Sequence, residues 1–304
     1  MESFHPEGAL IDTLENRRAL FSPGSLEKAM QQETVLESVA LMCSQDFELI
    51  FDLGGIRGVM PREEVAVTEE GRECRDIAVL TRVGKPVCFV IRAMTRENGV
   101  TSCILSRKRA QQRCFAEYLD LLDDGDVIPA RVTHFEPFGC FCDIGCGITS
   151  LLSIDCISVS RISHPSDRFA LGDKIFCAVR SRDGIILGSR GRISLTHKEL
   201  LGTWEENASR FSAGQTVAGI VRSVEDYGVF IELSPNLAGL SEKRDGVRIG
   251  QTAAVYIKSI IPQKMKVKLV IVDVSPEPRR RIPVEYFITS GNVSGWVYAP
   301  DKAR

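Results

Sequence analysis

Four aromatic residues hold matching places in two stretches of the chain, Phe138 and Phe141 in the first, Tyr227 and Phe230 in the second. Around Phe230 the apolar Val229, Ile231 and Leu233 alternate with Phe230 and Glu232, the two-residue period of a half-buried antiparallel strand. In the earlier stretch Cys140, Cys142 and Ile144 take the inward positions, which assigns Phe141 and Asp143 to the outer face. A ring on the wet face of a small sheet, with another at the preceding turn, is a stacking platform for bases of single-stranded nucleic acid, worth about 1–3 kcal/mol per base whatever the sequence. The competing reading packs these rings against a linker or a neighbouring repeat, since apolar side chains are common on protein surfaces.

Cations at fitting positions complete the pattern. Arg131, Arg192 and Arg222 fall on the predicted strands, His134 lies at a strand end near Phe138, and Lys264, Lys266 and Lys268 alternate with Met265, Val267 and Leu269. Strand geometry then sets the three lysines in a row on the outer face, as a phosphate track or as protection of an edge against aggregation. The chain as a whole carries a net charge of −2, so affinity for a polyanion has to come from local stripes and stacking rather than from bulk charge.

Other chemistry finds no support. Cys140-x-Cys142-x3-Cys146, with Cys156 beyond, lacks the Cys-x2-Cys spacing of a structural zinc site, and Cys140 and Cys142 read as small core hydrophobes, so neither a metal nor another cofactor is expected. There is no phosphate-binding loop, no His-Glu-x-x-His and no nucleophile elbow. His5, His134, His164 and His197 are the only histidines, and no two of them form an acid–base couple, so the chain reads as a non-enzyme. Ten cysteines without the basic and apolar regions of a secretion signal at Met-Glu-Ser-Phe-His-Pro-Glu-Gly indicate reduced thiols and a cytoplasmic protein, and no apolar run is long enough for a membrane span.

The elements that must hold the rings repeat. Gly214, Gly228 and Phe230 each lie 89 positions after Gly125, Gly139 and Phe141, so each copy is one structural unit. The order Gly-Asp-x-x-x-Ala-x-Val from Gly125, Phe-Gly-x-Phe-x-Asp-Ile from Phe138, Gly-Asp-Lys-Ile at 172–175 and Gly-Arg-Ile-Ser-Leu-Thr-His-Lys-Glu-Leu at 191–200 resembles the repeated RNA-binding domain of the bacterial small-subunit ribosomal protein S-one family. The resemblance runs over roughly residues 35–275 as three repeats and implies five-stranded antiparallel barrels of the oligonucleotide-binding (OB) kind, with RNA on strands two and three. Many members carry a histidine in the third strand; Ser153 stands there in the second repeat and Glu242 near that point in the third.

The expected fold is mainly β, three tandem five-stranded antiparallel OB-fold barrels joined by helices after a short helical N-terminal segment. The expected boundaries are a helical segment over 1–34, a degenerate repeat over 35–107, a connector helix at 108–122, a repeat over 123–196, a second connector at 197–211, a third repeat over 212–275, and a loosely docked tail over 276–304 with an arginine run at 279–281. The first repeat should start its first strand on Val35, Val39 and Leu41 and turn between its last strands at Asn98-Gly99. Its Phe47 aligns with Phe138 but its Ile50 with Phe141, and an aliphatic side chain offers a base no π-face, so this repeat should bind RNA poorly.

The leading expectation is a protein that holds single-stranded RNA, messenger RNA above all, at or near the small ribosomal subunit. A scaffold whose barrels bind proteins, and a non-catalytic targeting part of an RNA-degrading or RNA-modifying complex, are the alternatives.

Overall fold

A computed structural model describes residues 4–68, 74–97, 100–183, 192–275 and 281–299. The Asn98-Gly99 turn and the arginines at 279 and 280 lie outside the described residues. Two helices open the chain: α1 (Leu14–Ala19), capped by the Thr13 side chain, and α2 (Pro23–Gln31), where Ser22 and Ser25 form a reciprocal capping box.

Strands β1 (Leu36–Cys43), β2 (Leu49–Asp52), β3 (Arg57–Met60), β4 (Pro86–Glu97) and β5 (Val100–Ser106), with the one-turn helix α3 (Asp76–Leu80) before β4, close into a barrel of order β1-β2-β3-β5-β4. All pairings are antiparallel except β3 with β5, the parallel pair that completes the ring. Its core packs Leu36, Leu49, Phe51, Met60, Phe89 and Leu105, with Leu26 and Ala29 of α2 over one end. Leu36, Ser38 and Ala40 are buried; Leu41 is 58% exposed by the alternation of the strand, and the register shift between Ala40 and Met42 leaves Met42 exposed as well. Glu37, between the inward residues, is also buried: its carboxylate accepts the backbone N–H groups of Gly8, Leu10 and Ile11, so the N-terminal segment is fastened by hydrogen bonds to this strand.

Helix α4 (Arg107–Glu117) begins at a Ser106 cap and buries Ala110 and Cys114. The helix ends at Glu117 and tightens into a 3-10 turn over Leu119–Leu121, which resets the helical phase: Leu119 is buried and Leu121 exposed. The second barrel follows, with β6 (Val127–Glu136), β7 (Gly139–Asp143), β8 (Thr149–Ser153), β9 (Lys174–Asp183) and β10 (Arg192–Thr196) in the order β10-β8-β7-β6-β9. The second connector is shorter than expected, a 3-10 turn at Lys198–Leu201 and one helical turn, α5 (Trp204–Ala208). Strands β11 (Thr216–Glu225), β12 (Gly228–Ser234), β13 (Leu237–Ser241), β14 (Thr252–Ile261) and β15 (Lys266–Ser275) form the third barrel, closed by the parallel β13–β15 pair. Its core contains Val229, Ile231, Leu233, Val255, Ile257, Val267 and Leu269, and Trp204 of α5 packs into the same cluster.

Residues 281–299 are docked more firmly than expected of a loose tail. Phe287 donates its N–H to Leu200 O, Val293 donates to Gly125 O, and Tyr298 Oη donates to Asn236 O at 2.6 Å. Tyr286 Oη sits 3.0 Å from His197 Nε2, and His197 Nδ1 is 2.7 Å from the Ile157 carbonyl. A donor at Nδ1 makes Nε2 the acceptor, so this fully buried imidazole is neutral, and burial lowers its pKa to about 4.

Candidate nucleic-acid interface

The repeat's Tyr/Phe-Gly-x-Phe turn is what presents the rings. Gly228 has φ +155°, and a Cβ there would sit 2.4 Å from Ser241 O and 2.9 Å from the Leu240 side chain; Gly139 faces Leu152 O in the same way. Only glycine lets the two strands approach this closely behind the aromatic. Tyr227, at the turn, is 70% exposed and meets Phe230 edge to face with ring centroids 6.1 Å apart. Phe230 is half-buried on the outer face of β12, while Val229 and Ile231 are fully inside.

Register extends the face across the barrel. Phe230 pairs with Leu240 on β13, Leu240 with Lys268 on β15, and Lys268 with Ser259 on β14. The result is a groove of about 750 Å³ lined by Tyr227, Phe230, Leu240, Glu242, Lys258, Lys266 and Lys268, among others. Among the described residues Lys258, Lys266 and Lys268 enter no ion pair, so all three ammonium groups face solvent ready for an anion. Lys264 does not join them: it lies in the 3-10 turn Pro262–Lys264 ahead of the strand, and Met265 takes a left-handed φ of 48° there. Lys258, which lies outside the lysine run at 264–268, is the outward residue next to inward Val255 and Ile257, and strand alternation is the signal that marks it.

Corresponding registers carry the comparison to the other barrels. Ser194 pairs with Leu151 and with Ser181, as Lys268 pairs with Leu240 and Ser259, so Arg192 and Arg180 hold the places of Lys266 and Lys258. Arg192 is exposed, as is Arg180, whose Nη1 lies 3.3 Å from Cys156 Sγ. Phe138 is 53% exposed at the turn, and His134 stacks on Phe141 with centroids 6.5 Å apart and 26° between planes. His134 also contacts Glu136 Oε1 at 2.9 Å. In the first barrel the same row is Ile50, Val59 and Ile104, Ser102 replaces Lys266, and Arg92 is already held by Glu64 at 3.3 Å. That row holds neither a ring nor a free cation, and the turn ring of this barrel, Phe47, lies under the Arg62 guanidinium at 4.8 Å.

Two predicted cations are elsewhere. Arg131 donates from Nη1 to the Glu7 carbonyl at 2.7 Å, within the N-terminal anchoring of the first compact unit. Arg222 is not on the RNA-facing surface the sequence suggests: its side chain is buried, with Nε 2.5 Å from Glu232 Oε2 and Nη1 3.7 Å from Asp167 Oδ2. Glu232 also takes Arg168 Nη1 at 2.7 Å and Nη2 at 3.2 Å, so two guanidinium groups and two carboxylates neutralise one another in a buried cluster. Strand alternation had set Glu232 and Asp143 on the wet face. They are on the outer side of their barrels but covered, Glu232 by the 165–168 turn and Asp143 by Glu7, Gly145 and Gly147, whose N–H groups it accepts. Burial, aided by the Glu7 carboxylate, pushes Asp143 up to about 7. Cys140 and Cys142 point into the core with their sulfurs 3.9 Å apart, as the alternation requires. Among the described residues no helix is long and apolar enough to cross a membrane.

No family model matches the chain. It is 30% identical over 240 residues to small ribosomal subunit protein bS1 of Leuconostoc lactis, an alignment that takes in 76% of this chain and 52% of that protein. The bS1 of Rhodopseudomonas palustris is 31% identical over 239 residues, 77% of this chain and 40% of the other, and the bS1 homolog of Bacillus cereus is 30% identical over 258 residues, 81% and 62%. The chain thus spans about half the length of the curated relatives it matches. A Streptococcus pneumoniae multidomain protein with nucleic acid binding domains superposes on 81% of this chain and 75% of its own at 15% identity, with a TM-score of 0.25.

Proposed function

Since the chain belongs to the bacterial small ribosomal subunit protein bS1 family, we propose that it binds single-stranded RNA through its second and third barrels and acts at or near the small ribosomal subunit, with messenger RNA as the principal ligand. The observation that carries this reading is the third barrel's groove, where an exposed Tyr227, a half-buried Phe230 and three lysines without an ion pair among the described residues share one surface. Rings supply sequence-tolerant stacking and the lysines hold the backbone, the two terms that single-strand binding requires. The second barrel repeats the plan with Phe138, Phe141, His134, Arg180 and Arg192. No chemical step is assigned to it, and binding is the whole of the proposed activity.

The first barrel supports a different use. Leu41 and Met42 are exposed beside Ile50, an aliphatic surface suited to protein and not to bases. Titration of the full chain with a fluorescent 12-nucleotide single-stranded RNA at 50 and 200 mM salt tests the main reading. Salt-sensitive binding is expected; its absence at both salt concentrations leaves the protein-binding scaffold as the better account.

A further inference from the structure

We propose that Glu242 makes the groove of the third barrel selective for guanine in single-stranded RNA. This rests on the RNA-binding reading above and adds to it the base that the groove prefers.

Glu242 directly follows β13, whose outward residue Leu240 is opposite Phe230. Side chains two apart on a strand share a face, so Glu242 comes out beside Leu240 on the side of the rings, and it lines the same groove as Tyr227, Phe230 and the lysines. The register that sets Val229 against Ser241 brings Glu242 level with Gly228, at the turn that carries Tyr227. The carboxylate is exposed and, among the described residues, enters no ion pair. Against phosphate it is unfavourable, and in a groove built to hold a polyanion it is the one group of the wrong sign.

A carboxylate offers two acceptor oxygens and no donor. Guanine is the RNA base whose Watson–Crick edge presents two adjacent donors, the N1–H and the N2 amino group, and no other base can satisfy both oxygens at once. Adenine and cytosine present one amino group beside a ring acceptor that faces the carboxylate with like polarity, and uracil presents a single N–H between two carbonyls. A base stacked on an aromatic ring leaves its edge free to be read in this manner, which is how single-stranded RNA is recognised by sequence. The second barrel lacks the group: 89 positions earlier stands Ser153, whose hydroxyl is bound to Asp155. Selectivity therefore belongs to the third barrel, and the second binds without regard to base.

The test uses the full chain and five 12-nucleotide oligouridylates that carry U, A, C, G or inosine at one central position, with affinities read by fluorescence anisotropy. Inosine keeps N1–H and lacks the N2 amino group, so it probes the bidentate contact without altering the protein. Guanine should bind about tenfold more tightly than inosine or uracil, within the roughly 5- to 150-fold that one bidentate base contact provides. The E242Q variant, with one acceptor and one donor, should lose that preference while binding the all-uridine strand at least as well. Equal affinity of the wild type for guanine and inosine overturns the inference, as does an E242Q variant that gains affinity for all five strands alike, since Glu242 is then only a repulsive charge. Failure of every strand to bind overturns the RNA-binding reading along with it.

Discussion

The three lysines of the third barrel and the ring beside them should fail in different ways when removed. In a K258A/K266A/K268A variant the groove keeps Tyr227 and Phe230 and loses every cation that lines it. Each lysine that neutralises a single-strand phosphate contributes about 0.7 to the slope of log affinity against log salt, so the triple variant should flatten the slope by about 2. Between 50 and 200 mM salt that difference amounts to roughly 20-fold: the wild type loses that much more affinity over the interval than the variant. All three side chains are exposed and unpaired among the described residues, so folding should be untouched and thermal midpoints should agree. F230A should do the reverse, weakening RNA binding by about 1–3 kcal/mol at either salt with an unchanged slope. Anisotropy titrations at four or more salt concentrations separate the two. An unchanged slope in the triple variant, with the protein still folded, would show that phosphates do not run along this face, and a slope change confined to K264A would move the track to the turn.

I50A in the first barrel should leave RNA affinity within twofold of the wild type, because its row offers neither ring nor cation; a loss on the scale of F230A would restore that barrel to the site. E232A should destabilise the protein by about 3–5 kcal/mol in urea unfolding, since it leaves the buried Arg168 and Arg222 guanidinium groups with Asp167 as the remaining carboxylate of the cluster; a cost under 1 kcal/mol refutes the buried-cluster account. His197 has a folded pKa below its ordinary one, so its neutral form contributes stability that is present above pH 6.5 and lost as pH falls through about 4, up to roughly 3 kcal/mol. H197Q, which cannot titrate, should show a flatter unfolding profile over that window, and identical profiles would exclude the histidine as the cause.

Much of this molecule was legible in one dimension. The 89-residue offset and the period-two alternation of Val229, Ile231 and Leu233 required a repeated strand unit and set the rings of Phe141 and Phe230 on its outer face. Those features are local: they depend on which residue follows which, and a strand obeys them wherever it lies. Local alternation also assigned Glu232 and Asp143 to the outer side of their barrels, correctly as direction but not as environment. Whether an outward carboxylate meets water depends on what a remote segment brings to it, the 165–168 turn for Glu232 and the Glu7 segment for Asp143, and no periodicity within a strand records that. For the same reason Arg222 could be seen as an outward cation but not as half of a buried pair, and Lys258 became part of the groove only when β14 and β15 paired to bring it beside Lys266 and Lys268. Side-chain direction is set by the chain's own geometry; burial and partnership are set by contacts distant in sequence, and these exist only once the barrels have closed.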